Sequence, residues 1–287
     1  MNQRVADDAR GRRRMVGRGL SRLPLYVVAL LAALICLFPF YWTLAGSMMS
    51  PLEIYSNIPR LWPAHATFDA YQRVAQLVPI ARWFLNSIIT AVSTMVVAVL
   101  VSSAAGYCFA QLRFLGKRVW FALILATLMV PYQSRIIPLF VMFNGYGLSN
   151  SYLGIILPGL ASALGAFMMT QFFKGVPGEL REAALIDGAS ELRVFFQVYL
   201  PVARPAVATL ALLMFLQSWD QLLWPLIIAP TPDMRTLQVG LAYITQYAPT
   251  VNYEMAAIVL SVVPVIVAFL LAQRHFVAGI AAGAVKE

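Results

Sequence analysis

Charge is scarce in this sequence. Asp, Glu, Lys and Arg make up 11% of its 287 residues, where about 25% is usual in a soluble protein. Hydrophobic residues make up 61%, against roughly 45–50% in soluble domains. So large an apolar excess cannot be buried in one soluble core, because the surface would lack the charge that it needs in water. The composition excludes a water-soluble enzyme.

Cysteine, histidine and phosphate-binding motifs are also rare or missing. Cys36 and Cys108, the two cysteines, both lie inside apolar runs, so the sequence supports neither a disulfide framework nor a Cys-ligated zinc site. The two histidines, His65 and His275, fall on opposite sides of the membrane in the predicted topology. No Gly-x-x-x-x-Gly-Lys-Ser/Thr phosphate loop occurs. We therefore expect this chain to have no catalytic residues and to bind no metal or cofactor.

The net charge of +9 could indicate nucleic-acid binding. Lys and Arg do not alternate with aromatic residues, however, but flank long uncharged runs, as they do in membrane proteins. We therefore expect membrane lipid as a partner and no nucleic acid.

Long gaps between successive charges predict the membrane spans, because a helix of about 20 apolar residues crosses a bilayer. We predict six spans, at about 23–46, 84–111, 119–133, 152–173, 203–228 and 255–273. The fifth contains Asp220. After the third, the segment 136–145 could lie at the interface or re-enter the membrane. The prediction is an all-α membrane protein with one transmembrane domain, 23–274, between an N-terminal arm, 1–22, and a C-terminal tail, 275–287.

Basic residues near the span ends predict the orientation, since positively charged loops stay in the cytoplasm. Seven arginines precede the first span, which places the N-terminus inside, and six spans return the C-terminus to the same side. A cleavable signal peptide is the rival interpretation of the first span, but this apolar run is longer than a typical signal core. A multi-pass protein of the cytoplasmic membrane is favoured.

The loop 174–202 holds four of the 12 acidic residues. Pro177 suits the first turn of a helix, and Gly188 can take the left-handed conformation that ends one. A second helix is predicted from about Ser190 to Pro201. In it, four residues at helical spacing form an apolar stripe: Leu192, Phe195, Phe196 and Tyr199. Two short helices of this kind suit a docking element, and an amphipathic loop packed on its own bundle is the alternative.

The segment EAALIDGASELRVFFQVYLPVARP, at 182–205, closely resembles the EAA loop of ABC-importer permeases. The resemblance covers nearly the whole chain after residue 25 and is most specific to the MalG-type carbohydrate-uptake group. It is also carried by the second and fourth spans, by RTLQVGLA at 235–242 and by the C-terminal QRHFVAGIAAGAVKE. It implies the type I permease fold, with six spans and a cytoplasmic coupling helix.

The resemblance implies that the loop seats in a cleft on a separate ATP-binding subunit and transmits its ATP-driven closure. The residues that would carry this coupling are Glu182, Ala183, Ala184, Asp187, Gly188, Arg193, Phe196, Leu200 and Pro201. The C-terminal residues Gly283, Ala284 and Val285 are candidates for a second contact with the ATPase, or a flexible end.

A carboxylate inside an apolar span should face protein or water, because its exposure to lipid is costly. Asp220 therefore suggests a solute pathway, and it would disfavour an anionic solute. Candidate pathway residues are Asn86, Gln217, Trp219, Asp220, Gln221 and Trp224. Each has a structural alternative, as a helix-packing group or an interface anchor.

The resemblance implies a permease subunit of an ABC importer for a sugar, such as an oligosaccharide, a disaccharide or a sugar derivative. Its expected partners are a second homologous permease, two ATP-binding subunits that use ATP and Mg, and an extracytoplasmic solute-binding protein. A permease for glycerol phosphate or other polyols is the alternative within this class, and an ion-coupled secondary carrier is the less favoured one. A carrier usually needs more ionisable groups within its spans than this chain has.

Overall fold

The computed structural model describes residues 2–56, 60–248 and 250–284, with side chains described for most residues between 24 and 273. This part of the chain is helical throughout and forms no strand. Three helices are long and apolar enough to cross a membrane: α1 (Asn2–Ser47) over Pro24–Ser47, α4 (Ile80–Gln111) in full, and α15 (Val251–Ala284) over Val251–Leu271.

Three further pairs of helices each pass the same test of length and composition together, although each pair is bent. Lys117–Met129 meets Tyr132–Gly145 at 100°, Tyr152–Gly159 meets Ala163–Lys174 at 43°, and Glu191–Val202 meets Arg204–Trp219 at 84°. If each pair is one span, the described chain has six, in agreement with the predicted count. The main helices of these pairs are α5 (Lys117–Ala126), α6 (Tyr132–Gly145), α7 (Tyr152–Ile156), α8 (Ala163–Lys174), α10 (Glu191–Val194), α11 (Leu200–Val202) and α12 (Arg204–Trp219).

Two of the predicted spans are interrupted in the structure, each near a proline. The predicted fifth span, 203–228, is helical only to Trp219, and α13 (Leu223–Ile228) starts separately. Pro225 has no backbone N–H for the carbonyl of Gln221, which removes one hydrogen bond that a continuous helix would make at this point. The predicted third span ends at 133, but its first helix stops at Met129 and a new helix starts after Pro131.

Shorter helices complete the fold. Between the first two spans lie α2 (Pro51–Ile54) and α3 (Asp69–Leu77), and α3 packs on α15. The loop before α12 contains α9 (Glu179–Ile186), and α14 (Leu237–Ile244) precedes the last span. Pro177 precedes α9, whose N-cap is Gly178, and so does not occupy its first turn as predicted.

Helices α4 and α8 pack closely because small residues line their contact. A Cβ added to Gly106 would lie 2.9 Å from the backbone nitrogen of Thr170, and one added to Gly165 would lie 3.0 Å from the Cβ of Ser102. Small side chains let the backbones of two membrane helices approach, which strengthens their van der Waals contact. This contact fixes α4 beside the loop that follows α8.

Candidate functional site: a helical loop and a broken-helix cavity

The loop between α8 and α12 folds as the predicted pair of short helices. Gly188 has φ of 82°, the left-handed conformation that the Asp-Gly pair predicted. Ser190 is the N-cap of α10, and its Oγ accepts a hydrogen bond from the backbone N–H of Arg193 at 3.4 Å. Such a cap satisfies one of the free N–H groups of the first turn.

Most of the predicted coupling residues on α9 and the turn are exposed. Glu182, Ala183, Asp187 and Gly188 are exposed, whereas Ala184 is half-buried against the core. Ile186 is 86% exposed. The loop therefore presents one face outward and packs with the other.

The predicted apolar stripe of the second helix is only half right. Phe195 and Tyr199 are buried, but Leu192 and Phe196 are 72% and 53% exposed. A π-helical turn spans Phe195–Tyr199, and its wider turn takes these residues out of the 3.6-residue period that the stripe assumed.

The remaining coupling residues divide between surface and core. Arg193 is exposed like Phe196, whereas Leu200 and Pro201 are half-buried, with Leu200 against the core. Pro201 does not end the second helix, because α11 continues to Val202.

A contact that the sequence did not suggest holds the two loop helices to the bundle. Arg181 on α9 forms a salt bridge with the carboxylate of Glu191 on α10, and a second hydrogen bond joins its Nε to Oε2 at 3.2 Å. The hydroxyl of Tyr107 on α4 donates to the same Oε2 at 2.6 Å. The hydrogen bond from Arg181 to Glu191 raises the pKa of the arginine. One carboxylate thus joins three helices.

A cavity of about 860 Å³ lies where three helices are interrupted. Its lining includes Pro131 from the break before α6, Ser162 from the break before α8, and Gln221 from the break after α12. Thr94 of α4 also lines it. Backbone that leaves the helix at membrane depth is tolerated where it lines a water-filled cavity or is buried in protein. Three interrupted helices therefore meet at this one cavity.

Two of the six predicted pathway residues line the cavity. They are Gln217 and Gln221, and Gln221 donates through Nε2 to the hydroxyl of Tyr132 at 2.9 Å. Asp220 is exposed but is absent from the cavity lining. Its position just after the end of α12, at the break, explains how a carboxylate is accommodated in this apolar region.

The other three predicted pathway residues face protein. The indole of Trp219 donates to the carbonyl of Ser261 at 3.2 Å, and that of Trp224 to the carbonyl of Gly154 at 2.9 Å. Asn86 is fully buried, and its Nδ2 donates to the carbonyls of Asp233 and Arg235. These three side chains therefore join helices and loops within the described residues.

The C-terminal residues offer no comparable geometry. Gly283 and Ala284 end α15, and Val285 lies outside the described residues. The contact predicted for this tail stays a prediction.

A helical bundle with a broken-helix cavity and a partly exposed helical pair defines the membrane-embedded subunit of a transporter. Residues 98–282 match the model of a family described as "Binding-protein-dependent transport system inner membrane component". The chain belongs to this family, and the resemblance stated from the loop is confirmed.

Similar proteins support the same family. The arabinooligosaccharides transport system permease protein AraQ of Halalkalibacterium halodurans is 34% identical over 88% of this chain and 92% of its own length. The sn-glycerol-3-phosphate transport system permease protein UgpE of Brucella abortus is 32% identical over 92% of this chain and 97% of its own. A chain in the crystal structure of a bacterial ABC transporter involved in the import of the acidic polysaccharide alginate superimposes with a TM-score of 0.78. It is 26% identical and covers 91% of this chain and 98% of that chain. This match confirms the predicted permease fold.

Proposed function

We propose that this chain is the permease subunit of an ATP-driven importer that carries a sugar across the cytoplasmic membrane. The sugar is an oligosaccharide, a disaccharide or a related derivative, in keeping with the names of the arabinooligosaccharide and alginate relatives. The observation that carries the proposal is the cavity at the three helix breaks together with the helical pair on the same bundle. A pathway and a docking element on one bundle are the two parts that such a subunit needs.

Two helices connect these parts. Tyr107, which contacts the loop, and Thr94, which lines the cavity, both lie on α4. They are about 20 Å apart along the helix, at a rise of roughly 1.5 Å per residue. On α12, Arg204 follows the loop directly and Gln217 lines the cavity. A displacement of the loop would therefore move two walls of the cavity.

The proposed assembly contains a second homologous permease, two ATP-binding subunits and an extracytoplasmic solute-binding protein. ATP and Mg belong to the ATP-binding subunits, and this chain binds no cofactor and hydrolyses no ATP. Both termini and the helical loop face the cytoplasm in this proposal, in accord with the distribution of basic residues. The helices α2 and α3 then lie on the side where the binding protein delivers the solute.

The exposed residue Ala183 provides the test of the docking element. Ala183→Arg adds bulk and charge to the outer face of α9 without entering the core, so the importer should lose its ATP-binding subunits on purification and lose uptake. Ala81→Arg, at an exposed position near the other end of α4, is the matched control and should retain the ATP-binding subunits. Full retention of the ATP-binding subunits and of uptake in Ala183→Arg would show that the loop is not the docking element.

Two alternative functions predict different results in reconstituted vesicles. An ion-coupled carrier would transport without ATP and stop when an ionophore collapses the ion gradient. A glycerol-phosphate permease, the function named for the Brucella relative, would require ATP but would prefer glycerol phosphate to an oligosaccharide. ATP-dependent uptake of a saccharide, unaffected by the ionophore, distinguishes the proposed function from both.

A further inference from the structure

Arg135 is the one charged residue among the described residues that line the cavity. It lies in the first turn of α6, directly after the break at Pro131, and its side chain is exposed. The rest of the lining consists of apolar residues and neutral polar ones, such as Tyr132, Gln217 and Gln221. The electrostatic character of this cavity is therefore positive.

No carboxylate neutralises Arg135 within the described residues. The single salt bridge found there is that between Arg181 and Glu191, in the loop. Asp220 follows the end of α12 but is not part of the cavity lining. The guanidinium of Arg135 instead lies over the ring of Tyr132, with 5.7 Å from Cζ to the ring centroid.

The groups around Arg135 are arranged for a polar ligand. The hydroxyl of Tyr132 accepts a hydrogen bond from Gln221 and keeps its own proton for another acceptor. A guanidinium attracts an anionic group and can donate paired, charge-assisted hydrogen bonds to it. A carboxylate or phosphate beside Arg135 would have the Tyr132 hydroxyl as a second donor.

We infer that the cavity accepts a sugar bearing a negative charge, as a carboxylate or a phosphate group, and that Arg135 is the residue that contacts this group. The inference rests on the proposed function, which makes the cavity the solute pathway. It reverses the expectation from Asp220 that an anionic solute is disfavoured, because Asp220 does not line the cavity and Arg135 does.

The test uses the complex of the two permeases and the ATP-binding subunits, without the solute-binding protein, so that binding is measured at the membrane cavity. The probes are a trisaccharide of galacturonic acid and its fully methyl-esterified form, which has the same skeleton without the charge. Each is titrated while the melting temperature of the complex is followed. Trigalacturonate should raise the melting temperature until the effect saturates. The ester should raise it only at much higher concentration.

Three variants assign the effect to the cavity. Arg135→Gln should weaken the apparent affinity for trigalacturonate by about tenfold or more, the size expected for a lost charge-assisted hydrogen bond. Arg135→Lys should retain part of the preference. Arg118→Gln, which removes an exposed cation outside the cavity, should leave the affinity unchanged. Glucose 6-phosphate as a third probe shows whether a phosphate serves as well as a carboxylate.

The inference is wrong if the acid and the ester act equally, if neither shifts the melting temperature, or if Arg135→Gln binds trigalacturonate like the wild type. Failure of the proposed function has a different signature, namely ATP-binding subunits that remain bound to Ala183→Arg or uptake that does not need ATP.

Discussion

The hydroxyl of Tyr107 donates a 2.6 Å hydrogen bond to the carboxylate of Glu191, across 84 positions of sequence. Tyr107 lies near the end of α4, and Glu191 begins α10. Because Arg181 on α9 pairs with the same carboxylate, the two loop helices and the transmembrane helix meet at one point. A force applied to α9 can therefore reach α4 through polar contacts as well as through packing.

Replacement of the Tyr107 hydroxyl should weaken this connection. Tyr107→Phe keeps the ring against Tyr199, where the centroids are 4.9 Å apart, but leaves Glu191 with Arg181 alone. We expect a loss of about 1 kcal/mol of stability, less than the roughly 1.5–3 kcal/mol usual for a hydrogen bond to a charged group, because Glu191 is partly exposed. The more specific expectation is fewer solute molecules transported per ATP hydrolysed, measured in reconstituted vesicles.

Tyr146→Phe is the matched control for this change, since Tyr146 is 75% exposed and its hydroxyl has no hydrogen-bond partner within the described residues. It should alter neither the melting temperature nor the transport ratio. An unchanged transport ratio in Tyr107→Phe would show that the hydrogen bond only stabilises the fold.

The left-handed turn at Gly188 gives a second prediction. A Cβ at this position meets no atom within 4 Å, so Gly188→Ala is unfavourable only because φ is 82°. The expected loss is about 1–2 kcal/mol, the cost of a left-handed conformation for an L-residue, observed as a lower melting temperature. Gly145→Ala is the control, because a Cβ at Gly145 also meets no atom within 4 Å but this residue lies in a helix. It should be neutral or slightly stabilising, and equal losses in both variants would contradict this explanation.

Gln217 and Trp224 should respond in opposite ways, although the sequence suggested the same role for both. Trp224→Phe leaves the carbonyl of Gly154 without its donor in a buried site, so we expect a loss of about 1–3 kcal/mol. The affinity for the transported sugar should be unchanged. Gln217→Ala, at the cavity wall, should change that affinity with little effect on the melting temperature. If Trp224→Phe, and not Gln217→Ala, changed the affinity for the sugar, Trp224 would be a pathway residue after all.

These two residues show which features of the structure can be predicted from the sequence and which cannot. Local signals were sufficient where one short segment determines the conformation: the charge gaps gave six spans, and Gly188 and Ser190 gave the turn and the cap. They were insufficient where distant segments meet. Trp224 and Gln217 share one polar stretch, and only the packing of α13 on α7 separates a buried indole from an exposed amide.

The ion pair between Arg181 and Glu191 could not be predicted from the sequence, for a similar reason. These residues lie ten positions apart in two different helices, so no helical spacing relates them, and their third partner, Tyr107, belongs to another span. The π-helical turn likewise has no periodic signature in the sequence, and it displaced the predicted stripe. The cavity depends on three breaks that are remote from one another in the chain, which explains why Arg135 was not recognised.

The last prediction concerns pH and the segment between the first two spans. The carboxylate of Glu53 accepts hydrogen bonds from the backbone N–H groups of Ser50 and Ala64, both at 2.9 Å. These bonds, that from Ser50 most of all, lower the pKa of Glu53 below its usual value of 4.5. The carboxylate of Glu53 therefore binds a proton less readily in the folded chain than in the unfolded chain. Its contribution to the stability of the fold is complete above pH 4.5 and is lost as the pH falls through the lowered pKa.

We therefore expect the amide of Ala64 to exchange faster as the solution is acidified below pH 4.5, after correction for the intrinsic rate. Glu53→Gln should remove this pH dependence, because the side-chain amide of glutamine does not titrate. In this variant the Ala64 amide should exchange faster than in the wild type already at pH 7. Asp69→Asn is the control, since it removes a carboxylate that lies in the same segment between the first two spans and accepts no hydrogen bond within the described residues. Protection at Ala64 that stays constant down to pH 3 in the wild type would show that Glu53 does not hold this segment.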